Sequence, residues 1–294
     1  MTTNRRPEDA DQLRELVREG YTRVAEQRGE SDADRADAAA RRIGYSEDEL
    51  EAAPEGANLG VGCGNPTAID RLQPGETVVD LGSGAGMDAF LAARQVGPDG
   101  RVMSTDIDLR FHRAMAVNVI VREHDIEHGP PLPASHFDVV HARAVLQHLA
   151  TREEVMGRLV TLLKPGGWLV IEDGNFMEFA AQALPEPYGT IHRLVAGASR
   201  EKWREPNVGL LVVGWMRDLA LVDIDIDGDV MAMRPDRPSG EWWFLALERV
   251  IPRLVEAEVI TETDAEIAMA QMREPSFVML GPTSIATMGR RPAT

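Results

Sequence analysis

The sequence is poor in cysteine and lysine and rich in acidic residues. A single cysteine among 294 residues excludes an internal disulfide and any zinc site built from several cysteines. Only two of the 31 basic residues are lysines, whereas 48 acidic residues give a formal net charge of −17. No tract of the chain can therefore neutralise a phosphate backbone, and we expect neither nucleic acid nor an anionic membrane as a partner.

Long apolar runs are also missing. No run approaches the roughly 20 residues that span a bilayer, and the charged residues 1–30 contain no apolar core of a signal peptide. We therefore expect a cytoplasmic globular protein, in which 44% apolar residues supply the core. The sequence leaves a homodimer open.

Residues 1–66 predict a helical lid that ends in a glycine-rich loop. "DQLRELVREGYTRVAE" carries apolar residues at helical spacing, and Ser46 followed by Glu49 predicts a capping box at a second helix. The loop "EGANLGVGCGNPTAI" contains the single cysteine, Cys63, between two glycines. We expect Cys63 to be a lid residue without a chemical role.

From residue 67 onward, strands alternate with helices, which is typical of a parallel sheet covered on both faces. We interpret 67–174 as the core, 175–220 as a helical cap over the active site, and 221–294 as further core strands with helices between them. "LVDIDIDGDV" (221–230) alternates apolar and acidic residues and predicts an edge strand. The predicted core strands are 77–82, 101–107, 137–142 and 167–173, and the predicted core helices are 86–96, 110–119 and 152–163.

The motif "VVDLGSGAG" predicts a ligand site. Gly82, Gly84 and Gly86 follow a strand and open a helix, where glycine lets the backbone approach a ligand. A dinucleotide such as NAD is one candidate, but the Asp80 carboxylate would repel its pyrophosphate. A ligand with an ammonium or sulfonium group suits that carboxylate, which favours S-adenosylmethionine. A glycine turn without any ligand is the remaining alternative.

Two more acids follow at predicted strand ends. Asp106 comes twenty residues after Gly86, where a carboxylate can accept both ribose hydroxyls. Asp125 is followed by apolar Ile126, a pair that suits the amine and the face of an adenine. Three acids at matching positions favour the S-adenosylmethionine interpretation over a bare turn.

Together with "LLKPGGWLVIED", these motifs resemble the class I S-adenosylmethionine-dependent methyltransferases over residues 70–294. The resemblance implies an α/β Rossmann-like fold with seven strands, mostly parallel, and helices on both faces. No metal is expected. The resemblance implies that further residues contact the cofactor in addition to Asp80. Gly82, Ser83 and Gly84 would line its methionine part, and His141 and Ala142 would face its amino-acid end. The ribose and adenine would be held by Asp106, Ile107, Asp125 and Ile126.

The resemblance also implies catalytic residues. His148 in "VLQHL" and Asp173 in "VIEDG" match a histidine and an aspartate that remove the acceptor's proton in some sugar O-methyltransferases. An unperturbed histidine titrates near neutrality, which suits a general base. The alternative is that His148 only packs near the cofactor. For His192, in the cap, we expect a surface position, with a place facing the acceptor as the alternative.

Two resemblances bear on the methyl acceptor. Residues 45–102 resemble arsenite methyltransferases, whereas residues 104–294 resemble bacterial small-molecule methyltransferases, many of which modify natural products. Arsenic(III) needs two or three sulfur ligands, but this chain has one cysteine, and Ala144 stands where that family has another. From the second resemblance, we expect methylation of an oxygen of an apolar or aromatic natural product, with a carbon or a nitrogen as the alternative acceptor atom. Arsenite methylation and cofactor binding without methyl transfer are the alternatives.

Overall fold

The computed structural model describes residues 37, 40–41, 45–58, 72–110, 112–113, 116–202, 205–236 and 238–294. The predicted N-terminal amphipathic helix and the Cys63 loop lie outside these residues. The chain divides into two compact units. The first contains the described residues up to Asp173 together with Val208–Asp227 and Ile285–Thr294, and the second contains Gly174–Asn207 and Gly228–Ser284.

Seven strands and eight α-helices are found in the described residues. The strands are β1 (Thr77–Leu81), β2 (Arg101–Asp106), β3 (Val119–Glu123), β4 (Phe137–Arg143), β5 (Leu163–Asn175), β6 (Val222–Met233) and β7 (Met279–Arg290). The helices are α1 (Glu47–Ala52), α2 (Met87–Val96), α3 (Arg152–Leu162), α4 (Met177–Ala180), α5 (Tyr188–Lys202), α6 (Val208–Asp218), α7 (Pro238–Glu256) and α8 (Glu262–Arg273).

The strands form one mixed sheet in the order β3-β2-β1-β4-β5-β7-β6. From β3 to β5, neighbouring strands pair in parallel. At the start of β5, the Gly166 N–H donates to the Arg291 carbonyl at 2.9 Å, and the Arg291 N–H donates to the Gly167 carbonyl at 2.8 Å. Because Arg291 follows the last residue of β7, β7 runs opposite to β5. The predicted Rossmann-like sheet of seven mostly parallel strands is confirmed.

Helices cover both faces of this sheet in the first unit. Val79 and Leu81 of β1 belong to a buried cluster with side chains of α3 and α6, whereas Val78 belongs to a second cluster with the alanines of α2. Four of the five β1 residues are buried, which is why the central strands show continuous apolar runs in the sequence.

The predicted helix over 110–119 is wrong. The described residues between Arg110 and Val119 are turns and irregular chain, and residues 119–123 form β3. "VIVRE" is rich in β-branched residues, which favour a strand. No strand was predicted at this position, and β3 completes the seven-stranded sheet.

The capping box at α1 is confirmed. The Ser46 hydroxyl accepts from the Glu49 N–H at 3.3 Å, and the Ser46 N–H donates to the Glu49 carboxylate at 2.7 Å. Tyr45 and Leu50 are buried in a small cluster with Met87 and Leu91 of α2. The N-terminal segment therefore packs on the helix that follows the glycine loop.

Two further elements bear on the sequence predictions. β6 is the outermost strand, as its alternating pattern predicted. Helix α8 was missed, although Thr261 caps it by accepting from the Asp264 N–H at 3.0 Å. Among the described helices, none is long and apolar enough to cross a membrane. The domain limits and the placement of lid and cap stay predictions.

Candidate active site

The sheet brings most of the predicted cofactor residues to one edge. Asp80 lies in β1 beside Ser104 of β2 and His141 of β4, and Asp106 ends β2 beside Glu123 of β3. Because these four strands are parallel, their carboxyl ends face the same side, where α/β sheets bind ligands. Residues from four separate segments of the sequence thus meet at a single edge.

The glycine loop has the backbone that its sequence predicted. Gly82, Gly84 and Gly86 have φ of 70°, 55° and 91°, in the left-handed region that favours glycine. A Cβ on Gly82 would collide with the side chain of Val145. The Ser83 N–H donates to the Thr105 carbonyl at 2.9 Å, which ties the loop to β2.

Asp106 is joined to that loop. Its Oδ2 accepts from the Gly84 N–H at 2.8 Å, and its Oδ1 accepts from the Asp108 N–H at 3.0 Å. Burial raises the pKa of this carboxyl, and its backbone hydrogen bonds oppose the rise. Each carboxylate oxygen has a second lone pair, so the bonds in the structure leave capacity for ribose hydroxyls.

The third predicted acid, Asp125, lies two residues beyond β3. Its Oδ1 accepts from the Glu127 N–H at 2.8 Å and from the His128 N–H at 3.1 Å, so it stabilises its own turn. Ile126 packs against the core of the first unit, whereas Ile107 is 42% exposed. Ile107 thus offers apolar surface for a flat ligand, and Asp125 fixes the turn beside it.

Asp80 and His141 form a buried pair across β1 and β4. His141 Nδ1 lies 3.5 Å from Asp80 Oδ1, and both side chains are almost fully buried. Burial lowers the pKa of His141 to about 4, with Asp88 opposing and Arg143 reinforcing the shift. The imidazole is therefore neutral at pH 7.

Sequence reasoning missed a second buried group, formed by Asp88 of α2 and Arg143 of β4. Asp88 Oδ2 accepts from Arg143 Nε at 2.8 Å and from Nη2 at 2.7 Å. Arg143 also lies beside Glu172 of β5 in the sheet. The neighbouring carboxylates raise the pKa of Arg143 although burial would lower it. A lone arginine after the buried strand "FDVVHA" was the available sequence signal.

The predicted catalytic residues lie near the ends of β4 and β5. His148 is buried in a short 3-10 helix, Leu146–His148. Asp173 Oδ2 accepts from the Leu146 N–H at 3.1 Å, so the aspartate holds the turn that carries the histidine. Ala144, just before this turn, has a φ of 55°, and its N–H donates to the Glu172 carbonyl at 2.8 Å.

His192, expected at the surface, is fully buried in the second unit. Its Nε2 donates to the Phe179 carbonyl at 2.6 Å, and its ring packs edge-on against Phe179 and Trp243. Tyr188, one helical turn earlier, stacks on the other side. The surface expectation was therefore wrong, because Tyr188 and His192 share the buried face of α5.

Comparisons with known proteins agree with this geometry. Residues 72–207 match a family model described as a methyltransferase domain. An arsenite methyltransferase of Halobacterium salinarum is 36% identical over 188 residues, which are 56% of this chain and 48% of that protein. Methyltransferase str2 of Strobilurus tenacellus is 35% identical over 130 residues, 44% of this chain and 46% of that one.

The chain thus spans about half the length of these curated relatives. Among solved structures, the YcgJ protein of Bacillus subtilis superposes with a TM-score of 0.50 at 16% identity, covering 76% of this chain and 95% of that one. This likeness supports the fold alone. The matched family model relates residues 72–207 of this chain to methyltransferase domains.

Proposed function

We propose that this protein transfers a methyl group from S-adenosylmethionine to a small-molecule acceptor. The observation that carries the proposal is the placement of two acidic side chains, Asp80 and Asp106, at the carboxyl edge of the sheet. Asp80 is buried beside a neutral His141, and Asp106 is joined to the glycine loop. This arrangement favours a cationic ligand and disfavours a pyrophosphate.

The residues present fit that cofactor. Gly82 and Gly84 present backbone in a conformation that leaves no side chain between loop and ligand. Asp106 would accept the ribose hydroxyls, and Ile107 would pack against the adenine. The cofactor supplies an electrophilic methyl carbon on a sulfonium, so the protein's tasks are to align the acceptor and to exclude water.

For the acceptor, we infer an oxygen of an apolar or aromatic natural product. In this scheme, His148 would accept the proton of the acceptor hydroxyl, and the bound cofactor would supply the methyl group and leave as S-adenosylhomocysteine. Asp173 holds the turn of His148 through the Leu146 N–H. His148 is buried in the turn that Asp173 holds, which supports a positioned base.

Cofactor binding is tested by calorimetric titration of the full chain with S-adenosylmethionine, S-adenosylhomocysteine and NAD. We expect the first two to bind. Asp106→Ala should raise the Kd for S-adenosylmethionine about 10- to 100-fold, because hydrogen bonds to a carboxylate are lost. Asp99→Ala, an exposed carboxylate after α2, is the matched control. Binding of NAD alone would refute the proposal.

Catalysis is tested by S-adenosylhomocysteine formation with a library of phenols and other hydroxylated natural products. With an active acceptor, His148→Gln should lower kcat about 10²- to 10⁴-fold while the Kd for S-adenosylmethionine stays the same. If His148→Gln keeps the parent's kcat, His148 only packs in the site. No product with any acceptor would favour a binding protein without methyl transfer.

Arsenite is the second candidate acceptor, favoured by the similarity to the Halobacterium salinarum enzyme. The single cysteine opposes it, because one thiolate cannot supply the sulfur ligands that arsenic(III) requires. Turnover with arsenite and a thiol, compared between the parent and Cys63→Ser, decides the matter. An active parent and an inactive variant would establish arsenite as the substrate.

A further inference from the structure

A buried hydrogen-bonded network connects the N-terminal segment to the edge of the sheet. The Tyr45 hydroxyl donates to Asp88 Oδ1, and Arg143 donates to Asp88 Oδ2 through both Nε and Nη2. The Arg143 guanidinium also lies 5.7 Å from the centre of the Tyr45 ring, within the range of a cation-π contact. Two side chains from separate parts of the chain thus donate to one carboxylate.

Each member of this network is withdrawn from water. Tyr45 is 4% exposed, and the side chains of Arg143 and Asp88 are 13% and 9% exposed. Burial raises the pKa of Tyr45 well above its usual value, so the phenol stays protonated and remains a donor at neutral pH. Hydrogen bonds in such surroundings are strong and directional, and they set one arrangement of the groups that share them.

Two residues of the network closely follow chain segments that are predicted to contact the cofactor. Asp88 is in the first turn of α2, two residues after Gly86, the last glycine of the loop. Arg143 ends β4, directly after His141 and Ala142. The Asp88 to Arg143 ion pair therefore sets the distance between the two chain segments predicted to contact the cofactor.

Tyr45 adds the N-terminal segment to this pair. It directly precedes the Ser46 cap of α1, and the segment 45–58 leads into the glycine-rich loop that contains Cys63. Apolar packing against Met87 and Leu91 attaches the segment to α2, but such packing has little directional preference. The hydrogen bond from the Tyr45 hydroxyl to Asp88 orients the segment on α2.

We propose that Tyr45, Asp88 and Arg143 are positioning residues that couple docking of the segment 45–58 to retention of the cofactor. The inference rests on the proposed function, because it concerns the same site. When Tyr45 is docked, Asp88 is held by donors on both oxygens, and the glycine loop and the end of β4 keep a fixed spacing. When the hydroxyl is missing, Asp88 turns toward Arg143 alone, and the loop loses part of its support.

The test is Tyr45→Phe in the full chain, which removes one oxygen and keeps the ring and its packing. We expect the Kd for S-adenosylmethionine to rise about fivefold, as for the loss of one buried hydrogen bond. The KM for the cofactor should rise by the same factor, and kcat should change less. Arg143→Lys keeps the charge but loses the paired contact, and it should raise the Kd about tenfold or more.

Tyr188→Phe is the matched control. Tyr188 is a fully buried tyrosine of the second unit, and its hydroxyl accepts from Trp243 Nε1 at 2.9 Å. Both variants should lower the melting temperature, but only Tyr45→Phe should weaken cofactor binding. Hydrogen exchange gives a readout without catalysis, since Tyr45→Phe should speed exchange of the amides of 45–58, and Tyr188→Phe should not.

The outcomes separate this inference from the proposed function. If the parent does not bind S-adenosylmethionine, the proposed function is wrong and the inference falls with it. If the parent binds and Tyr45→Phe binds equally well, the inference alone is wrong. Equal losses of affinity in Tyr45→Phe and Tyr188→Phe would also overturn it, because the effect would then be general destabilisation.

Discussion

The interiors of the two compact units are built from different chemistry. In the first unit, buried charged side chains collect where the parallel strands end, and they include Asp80, Asp88, Arg143, Glu172 and Asp173. In the second unit, the buried cluster is apolar and contains aromatic rings that contact one another, and they include Phe179, Tyr188, His192, Trp243 and Phe277. The first unit thus buries acidic and basic side chains, and the second unit buries contacting aromatic rings.

This difference indicates what each interior tolerates. A buried charge depends on the opposite charge beside it, so removing one member leaves the other unpaired in a poorly polarisable medium. A ring in an aromatic cluster loses contact area when it is replaced, and its neighbours can adjust. Substitutions in the two units should therefore differ in size and in pH dependence.

The largest expected effect comes from breaking the charge cluster. Arg143→Met leaves Asp88 and Glu172 without their cation and should lower the free energy of unfolding by about 3–5 kcal/mol. Urea denaturation at pH 7.5 measures this loss. Arg234→Met, which breaks an exposed 3.0 Å ion pair with Asp236 in the second unit, should cost less than about 1 kcal/mol. Equal costs would mean that the buried ion pair is no more costly to break than an exposed one.

His141 in the first unit and His192 in the second sharpen the comparison. The unfolded imidazole of His141 binds protons near pH 6.5, but in the folded protein its pKa is about 4. The contribution of neutral His141 to the free energy of unfolding is therefore present in full above pH 6.5. It is lost as the pH falls toward 4, and the loss is about 3 kcal/mol. Unfolding free energies measured between pH 7.5 and 4.5 should fall more steeply with acid in the parent than in His141→Asn.

His192 should titrate with a smaller effect. Burial lowers its pKa as well, but the hydrogen bond to the Phe179 carbonyl opposes the shift. His192→Asn should therefore change the acid slope less than His141→Asn does. A larger change in His192→Asn would mean that the aromatic unit is the more sensitive to protons.

The smallest expected effect comes from the rings. Phe179 lies edge-on to His192 and Trp243, with ring centres 4.6 Å and 4.8 Å away. Phe179→Leu should cost about 1–2 kcal/mol of stability, because two aromatic contacts are lost while most of the volume is kept. Calorimetry should give the parent's Kd for S-adenosylmethionine. A Kd raised as far as in Tyr45→Phe would contradict the assignment of cofactor binding to the first unit.

Local patterns predicted those parts of the structure that depend on neighbours in sequence. The cap at Ser46, the glycine backbone at Gly82 and the strand ending near Asp106 each follow from a few consecutive residues. The pairing of Asp88 with Arg143 was missed because the two lie 55 positions apart and meet only after α2 packs on the sheet. In the sequence, Asp88 and Arg143 each stand as a charged residue in an otherwise apolar segment.

The other errors have similar causes. The five residues of β3 are too few to show a periodic pattern. The helix expected over 110–119 also ended where β3 begins. His192 was judged alone, although its spacing of four from Tyr188 places both on one helix face. Tertiary packing decided these cases, and a single sequence carries that information only indirectly.

The acidic residues of β6, a strand at one edge of the sheet, oppose aggregation. Among the described strands, β6 has a neighbour on one side only, and Val222, Ile226 and Val230 are each about half exposed along it. A bare apolar edge of this kind is a template on which other chains can add strands and aggregate. The aspartates at 223, 225, 227 and 229 alternate with these residues, so a second copy approaching the edge meets like charge along its whole length.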